Sequence, residues 1–302
     1  MLRLITFISC LTLFLSCEEE ISLSSETSQR KIVINSIIST DSTWNVNLSY
    51  SQSIFDNGDF DYIQAASVKV TNLTNEQSFF LKNVGEGDYQ RGLKPNEGHT
   101  YELEITTHEG ETARAVTYVP SVLQVEVMKK DAVDENGKNT IEIDIEIEDN
   151  PEEENFYVWE IVETRIIEAE IVEEPINIDF ELAAEHDSTE VDSELKSLNS
   201  LLFISDDNFN GKKYSTKLTL GNDVINKGEE GGDDVNNLEV PRFSLKIMAV
   251  SKDLYEYLRT YELSKQNEIQ ISSISQPVNV YSNIENGYGI FGGYNLKEFP
   301  IE

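Results

Sequence analysis

The clearest pattern in the chain is the strict alternation of apolar and acidic residues over positions 141–148, which read IEIDIEIE. Successive side chains of a β-strand point to opposite faces, so this period predicts a strand with one isoleucine face and one acidic face. Residues 134–137 (DENG) precede it with the composition of a hairpin turn. Residues 156–167 (FYVWEIVETRII) predict the next long strand.

Short strands separated by turn residues are also predicted between Arg30 and Pro120. Residues 44–50 (WNVNLSY) alternate, so that Trp44 and Val46 share a face. Strands at this spacing, without a helical period, indicate an antiparallel β-sandwich of about 90 residues. The other strands predicted in this region span residues 31–38, 68–71, 78–82, 100–107 and 112–119.

One helix is predicted, and it follows a strand at residues 242–250. Ser251 is a suitable N-cap because its hydroxyl can accept a hydrogen bond from the first turn. The helix would lay an apolar stripe on a sheet, since the members of the stripe recur every three or four residues. That stripe consists of Leu254, Tyr257, Leu258 and Tyr261.

Together these elements predict a mostly β protein of two antiparallel β-sandwich domains, with one helix packed on the second. The boundary is placed at Pro120, so the domains span residues 30–120 and 121–302. Residues 87–101 (GDYQRGLKPNEGHTY) are similar to the end of a carboxypeptidase-regulatory or prealbumin-like sandwich. Any Ig-like sandwich is the alternative, and it has the same fold class.

Residues 1–16 have the three parts of a secretory signal peptide. Arg3 gives a positive start, residues 4–15 are apolar, and the small Ser16 precedes Cys17. A membrane-spanning helix needs about 20 apolar residues, so this stretch is too short to be one. The alternative is a buried N-terminal strand or helix, but no amphipathic period or flanking turn supports it.

Cysteine usage indicates a lipid anchor at Cys17. The chain has two cysteines, Cys10 and Cys17, and cleavage after Ser16 would leave only Cys17 as the first residue of the mature chain. A cysteine retained only at the cleavage point is best explained by lipidation, whereas a plain secreted protein would carry it as a lone exposed thiol. Stable anchoring requires several acyl chains, which a bacterial lipoprotein head provides.

The residues around Cys17 resemble those of Bacteroidota lipoproteins. The sequence FLSC at residues 14–17 has Phe where bacterial lipoboxes usually have Leu, as in the looser lipoboxes of that group. Glu18, Glu19 and Glu20 resemble the signal that exports such lipoproteins to the outside of the outer membrane. The alternative is a solvated acidic start to a tether. Residues 17–29 would then be the lipidated cysteine and a flexible tether.

The charge of the chain excludes one class of partner. Its formal net charge is −33 at pH 7, and such a surface repels phosphate backbones, so no nucleic acid partner is expected. Residues 134–194 hold 23 acids against two bases, Lys138 and Arg165. This belt is either a solvated sheet face that prevents edge pairing or a binding surface for calcium or another cation. We favour the first, because calcium sites use ordered loop spacings.

No set of metal ligands is predicted. Residues 206–211 (DDNFNG) match the start of an EF-hand loop, but Lys217 occupies the twelfth position, where a bidentate Glu is required. A turn into a strand at residues 213–220 is the favoured interpretation. The three histidines, His99, His108 and His186, are far apart in the sequence.

The sequence contains no nucleophile elbow, P-loop or dinucleotide fingerprint. We therefore expect a protein that is not an enzyme and has no cofactor. A hydrolase would require two carboxyl groups placed in a cleft, which sequence alone does not reveal.

Residues 278–293 (VNVYSNIENGYGIFGG) resemble the closing motif of a Bacteroidota lipoprotein family known as domain of unknown function 4249. Supporting stretches are residues 17–21, 31–34 and 203–214, so the resemblance covers nearly the whole mature chain. The family has no assigned activity and no catalytic residues to transfer. Its members resemble outer-membrane lipoproteins found beside TonB-dependent receptors, which implies a role at a transporter and no reaction.

The closing motif has two interpretations. Its four glycines permit tight turns or close backbone approach, so a final β-hairpin that closes the second sheet is favoured. The alternative is an aromatic platform for a ligand. That platform would consist of Asn283, Asn286, Tyr288 and Phe291.

The sequence therefore predicts a protein anchored to the outer membrane through Cys17 and facing outward. It would act as a binding or accessory protein beside a TonB-dependent receptor and help to capture a ligand that the sequence does not identify. The alternative is a structural or adhesive envelope protein, with the acidic belt tuned by calcium. A hydrolase is the third hypothesis.

Overall fold

The computed structural model describes residues 30–53, 58–134, 136–167, 170–176, 196–198, 200–221, 243–269 and 278–301. The predicted signal peptide, Cys17, the three glutamates after it and the tether lie outside the described residues. Lys31–Glu302 form one compact unit. The described part is mostly β, with antiparallel sheets in a sandwich-like arrangement and one helix, so the predicted fold class is confirmed.

The secondary structure consists of the following elements within the described residues. In chain order they are β1 (Ile32–Ser39), β2 (Trp44–Tyr50), β3 (Ala66–Asn72), β4 (Gln77–Phe80), β5 (Lys82–Gly85), β6 (Asp88–Arg91), β7 (Thr100–Thr107), β8 (Thr112–Tyr118), β9 (Gln124–Val133), β10 (Asn139–Glu148), β11 (Phe156–Ile167), β12 (Glu170–Pro175), β13 (Lys196–Leu198), β14 (Leu201–Ser205), β15 (Lys213–Gly221), β16 (Phe243–Val250), α1 (Lys252–Ile269) and β17 (Gly287–Pro300).

These strands form one long sheet and two smaller ones. The long sheet has the order β13-β14-β11-β16-β17-β1-β2-β6-β5, and β12 also pairs with β11. A four-stranded sheet has the order β4-β3-β7-β8, and a three-stranded sheet has the order β15-β10-β9. The predicted strand at residues 78–82 divides between β4 and β5, which belong to different sheets, with Leu81 buried where the chain crosses.

Both smaller sheets pack on one face of the long sheet, and α1 packs on the other. Alternation along β17 shows this arrangement, because its odd and even positions point to opposite faces. Phe291 lies in the core with the four-stranded sheet, and Phe299 packs against the core with the three-stranded sheet. Ile290 and Tyr294 pack instead against α1.

Each smaller sheet encloses a separate core around a buried tryptophan. In the first core Trp44 is 1% exposed, and its ring centroid lies 5.0 Å from that of Tyr101 in an edge-on arrangement. In the second core Trp159 is fully buried beside Tyr214, with ring centroids 6.5 Å apart. Removing such a side chain typically costs about 3–5 kcal/mol, so each tryptophan is a major part of its core.

The strand β17 joins the two sandwiches. It pairs in parallel with β1, from Ile32 opposite Gly287 to Ser39 opposite Tyr294, and antiparallel with β16. The long sheet is therefore continuous from the first predicted domain into the second. The predicted boundary at Pro120 follows β8, in the four-stranded sheet. The predicted closing hairpin is wrong, because β17 is a single strand between two strands that are distant in sequence.

The helix begins where it was predicted. The Ser251 hydroxyl accepts a hydrogen bond from the Leu254 amide at 3.3 Å and so caps the first turn. The buried stripe differs from the prediction, because Tyr261 is 41% exposed while Tyr255 is buried. Tyr255 packs between aromatic rings on the strands beneath it, with its centroid 5.0 Å from that of Phe156. Within the described residues, no helix is both long and apolar enough to cross a membrane.

Close backbone contact between β17 and β1 predicts a large cost for Gly289→Ala. Gly289 has φ of +99°, and an added Cβ would lie 2.0 Å from the Ile34 carbonyl oxygen. Gly85 is a matched control, with φ of +119° and no atom within 4 Å of an added Cβ. Backbone strain alone costs about 1–2 kcal/mol, and the added overlap is expected to bring the loss at Gly289 to about 3–5 kcal/mol.

Urea unfolding of both alanine variants, followed by circular dichroism, measures this difference. Equal losses of unfolding free energy in the two variants would show that the contact with β1 relaxes without cost.

Candidate functional site

The structure separates the four residues of the predicted aromatic platform. Phe291 is fully buried in the first core, whereas Tyr288 is 48% exposed and points to the opposite face of β17. Asn286 has φ of +62° and forms the turn that leads into the strand. The four residues therefore do not share one ligand-binding surface: Asn286 and Tyr288 are exposed, Asn283 is half-buried and Phe291 is buried.

Asn283 has a structural contact of its own. Its side-chain oxygen accepts a hydrogen bond from the Phe291 amide at 3.0 Å, and its side-chain nitrogen donates to the Phe291 carbonyl at 2.8 Å. The same nitrogen also donates to the Val116 carbonyl at 3.2 Å. The Asn283 side chain thus supplies β17 with the hydrogen bonds that a neighbouring strand would supply. It does so beyond the point where the pairing of β17 with β16 ends.

The predicted acidic belt is in part a ladder of ion pairs. The isoleucines of β10 lie toward the second core, and its acidic side chains lie on the outer face, as predicted. Lysines of the two neighbouring strands pair with these acids. We call this set the acidic ladder; its pairs are Glu142 with Lys217 at 3.4 Å, Asp144 with Lys130, and Glu146 with Lys213.

The count of acids and bases over residues 134–194 missed this neutralisation, because the lysines lie on β9 and β15, outside that range. The hydrogen bond to Asp144 raises the pKa of the Lys130 ammonium, and Glu146 acts in the same way on Lys213. Exposed pairs of this kind contribute little to stability, typically about 0.2–1 kcal/mol each. The ladder is therefore a solvated sheet face with its charges largely balanced.

The loop with partial similarity to an EF-hand is held in place by buried carboxylates. Asp206 is 1% exposed, and its carboxylate accepts a hydrogen bond from the Asn155 amide at 2.8 Å. Asp149 accepts from the Tyr157 hydroxyl at 2.7 Å and from the Gly211 amide at 2.8 Å. These bonds fasten the turn before β15 to the loop before β11. Burial raises the pKa of the Asp206 carboxyl. A raised pKa disfavours the ionised carboxylate that binds a metal ion, so this position is poorly suited to be a metal ligand.

Lys217, at the position where an EF-hand has its bidentate Glu, lies on β15 in the acidic ladder. The predicted turn and strand are therefore confirmed. Within the residues that the structure describes, no group of three or more His, Cys, Asp or Glu side chains could hold a metal ion.

A small cleft lies where the end of β8, the loop before β11 and the start of α1 meet. Its volume is ≈ 160 Å³, below the about 300–1,000 Å³ of typical ligand pockets. Sequence reasoning missed this cleft, because no local signal connects three segments so distant in the chain. The lining residues are Tyr118, Pro120, Glu153, Glu154, Asn155, Phe156, Ala249, Val250, Ser251, Lys252 and Asp253.

The polar groups of the cleft largely bind one another. The Lys252 ammonium lies 3.0 Å from the Glu154 carboxylate and 5.5 Å from the centroid of the Phe156 ring. Burial, followed by the hydrogen bond to Glu153, raises the pKa of the Tyr118 hydroxyl to about 12. Asp253 accepts a hydrogen bond from the Tyr281 hydroxyl at 2.5 Å. With its single lysine held in this way, the cleft has room only for a small group.

Three comparisons place the chain among known proteins. The family model described as "Domain of unknown function (DUF4249)" matches residues 18–299. No curated protein matches the chain. One solved structure with some likeness is the "Enterococcal surface protein, partial N-terminal region", at 8% identity, with 88% of this chain and 93% of that chain covered and a TM-score of 0.18. A likeness this low carries no argument.

The bonds from Asn283 to β17 predict that Asn283→Ala destabilises the protein. The substitution leaves the amide and carbonyl of Phe291 without their side-chain partner in a largely buried place, which costs about 2–4 kcal/mol. Asn45→Ala, at an exposed position on β2, is the control and should change stability by less than about 0.5 kcal/mol. Thermal and urea unfolding measure both, and a neutral Asn283→Ala would contradict the role assigned to this amide.

The raised pKa of the Tyr118 hydroxyl predicts that the folded protein loses stability at alkaline pH. Because its folded-state pKa is raised to about 12, the unfolded chain loses the proton first, near the ordinary value of about 10. The contribution of the protonated Tyr118 hydroxyl to the free energy of unfolding is therefore complete below pH 10 and falls as the pH rises toward 12. Tyr118→Phe should flatten the curve of unfolding free energy against pH in this window. Identical curves for Tyr118→Phe and the parent would contradict the assignment.

Proposed function

The chain belongs to the DUF4249 family, and we propose that it is a Bacteroidota lipoprotein anchored to the outer membrane through Cys17. It would face outward and act as a binding or accessory protein beside a TonB-dependent receptor. The observation that carries the proposal is the sequence at residues 4–20, an apolar run closed by Ser16-Cys17 and followed by three glutamates.

Two further observations support the anchor. The family match begins at residue 18, one residue after Cys17, so the apolar segment lies outside the shared domain. Residues 18–30 separate Cys17 from Lys31, where the compact unit of residues 31–302 begins. Their composition, EEEISLSSETSQR, is that of a polar linker.

The role beside a receptor rests on the family resemblance and on the charge of the protein. A surface with a net charge of −33 favours basic patches on a partner protein over phosphate-rich partners. The acidic ladder gives less support to the alternative of a calcium-tuned envelope protein, because its carboxylates are paired with lysines. The small cleft offers the hydrolase hypothesis two adjacent glutamates, but Glu154 is bound to Lys252.

Acylation of Cys17 and exposure at the cell surface are the measurements that test the proposal. Mass spectrometry of the N-terminal peptide should find an acylated Cys17, and protease added to intact cells should remove the folded part. Cys17→Ser should abolish acylation and release the protein from the membrane fraction. An unmodified Cys17 in the parent protein would overturn the anchor, and with it the proposed location.

The three glutamates predict a separate effect on the side of the membrane. Replacing Glu18, Glu19 and Glu20 together by alanine should leave Cys17 acylated but protect the protein from external protease. Replacing Ser22, Ser24 and Ser25 by alanine is the matched control and should leave the protein accessible. Equal accessibility of both variants would show that the glutamates only begin the tether. Crosslinking on intact cells, followed by purification of the parent protein, should recover a β-barrel receptor.

A further inference from the structure

A row of side chains crosses four adjacent segments at one end of the long sheet. Tyr288 on β17 lies directly opposite Val33 on β1, Val33 opposite Ser49 on β2, and Ser49 opposite Tyr62. Residues directly opposite one another in a sheet point to the same face. Adjacent strands are about 4.8 Å apart, so the two tyrosines lie about 14 Å from each other on that face.

The ends of this row are exposed aromatic rings. Tyr288 is 48% exposed and Tyr62 is 37% exposed, while Val33 and Ser49 between them are more buried. Phe60 extends the row, with 68% of its surface exposed and its ring centroid 6.1 Å from that of Tyr62. We call Phe60, Tyr62 and Tyr288 the aromatic row. An exposed phenylalanine beside exposed tyrosines is an apolar surface for which the described residues provide no cover.

Lys31, the first residue of the compact unit, lies beside this row. Lys31 immediately precedes β1, its carbonyl accepts a hydrogen bond from the Ser51 amide at 2.8 Å, and its ammonium lies 4.8 Å from the centroid of the Tyr288 ring. Residues 18–29 separate Cys17 from Arg30, and a fully extended chain of this length reaches about 45 Å. The aromatic row is therefore next to the place where the segment from Cys17 joins the fold.

Two groups joined by a short stretch of chain have an effective concentration for each other in the millimolar range. A contact with lipid that is too weak to hold the free protein would therefore be populated in the anchored one. Tyrosine is favoured at the boundary between water and hydrocarbon, because its ring is apolar and its hydroxyl is polar. The row thus has the composition that suits this boundary.

The charges beside the row decide which lipid surface it suits. Phe60 lies between Asp59 and Asp61 in a chain with a net charge of −33. The basic residues next to the row are Arg30 and Lys31, whose ammonium lies over the Tyr288 ring. Anionic lipids repel such a surface, whereas lipids without net charge do not. The contact must therefore come from the aromatic rings rather than from basic side chains.

We propose that the aromatic row docks on a lipid surface without net charge, and so orients the folded part with the start of β1 toward the membrane. The inference rests on the proposed lipid anchor at Cys17. Docking places the β2 end at Tyr50 and the start of β17 near the lipid.

Footprinting with hydroxyl radicals on protein attached to vesicles tests the docking. Cys17 is the only cysteine of residues 17–302, so this mature chain can be coupled through its thiol to a maleimide lipid in phosphatidylcholine vesicles. Oxidation of Phe60, Tyr62 and Tyr288 should fall about threefold or more relative to protein coupled to a soluble maleimide, because their rings leave water. Phe80, exposed on β4 on the other side of the long sheet, is the control in the same molecule and should be oxidised at an unchanged rate.

A second measurement follows the orientation without relying on the rings. Amine-reactive labelling of Lys31 should be slowed on vesicles in the parent protein, whereas labelling of the exposed Lys82 should not. The triple variant Phe60→Ser, Tyr62→Ser, Tyr288→Ser should restore the labelling of Lys31 to its rate in solution. Phe80→Ser should leave the protection in place. All three rings of the row are exposed, and circular dichroism verifies that the variants fold.

Unchanged oxidation of the row on phosphatidylcholine would overturn the proposal, and so would equal protection of Phe80. Protection that needs added phosphatidylglycerol would overturn it as well, since basic side chains would then make the contact. Protection that requires a receptor in the membrane would identify the row as a protein interface and reject lipid docking. The vesicle attachment is chemical, so its result is independent of acylation in cells, which is the test of the proposed function.

Discussion

The structure depends on how β17 is held on both sides. β1 lies along its first half, so close that Gly289 could carry no side chain. On the other side β16 ends opposite Tyr294, and Ser251 and Asn283 continue the bonding. The Ser251 amide donates to the Gly293 carbonyl at 2.8 Å, and the Asn283 side chain bonds both backbone groups of Phe291. Because these backbone groups are buried, leaving them unpaired would be costly, and this requirement explains the polar and glycine residues of the closing motif.

The same arrangement makes the two sandwiches one body. A boundary at Pro120 divides the chain into halves with separate tryptophan-centred cores, yet a strand from the second half completes the sheet of the first. Parallel pairing of β1 with β17 joins segments about as distant in sequence as the chain allows. Contacts of this kind form late, because the entropy of closing a long loop must be overcome first. The N-terminal strand is thereby fixed in the middle of the sheet, and the segment from Cys17 joins the body at a defined point.

That point connects the fold to the proposed function. The proposed lipid anchor would confine the protein to a surface without fixing its orientation. The position of Lys31 between Ser51 and Tyr288 places the tether at the end of the sheet that carries exposed aromatic rings. On the second sandwich, three lysines pair with acids of β10. The molecule thus has exposed aromatic rings near the proposed anchor and a charged, solvated face on the second sandwich.

Local patterns in the sequence determined the strand at residues 141–148, the helix after Ser251 and the fold class, because alternation and helical period depend only on neighbours in the chain. They also predicted the anchor at Cys17, which stays a prediction. Only the tertiary structure decided that Phe291 belongs to a core while Tyr288 faces outward, and that Lys130 and Lys213 balance the acids of β10. It alone brought Tyr62 into line with Tyr288. Pairing between distant strands sets these positions, and their partners leave no mark in the local pattern.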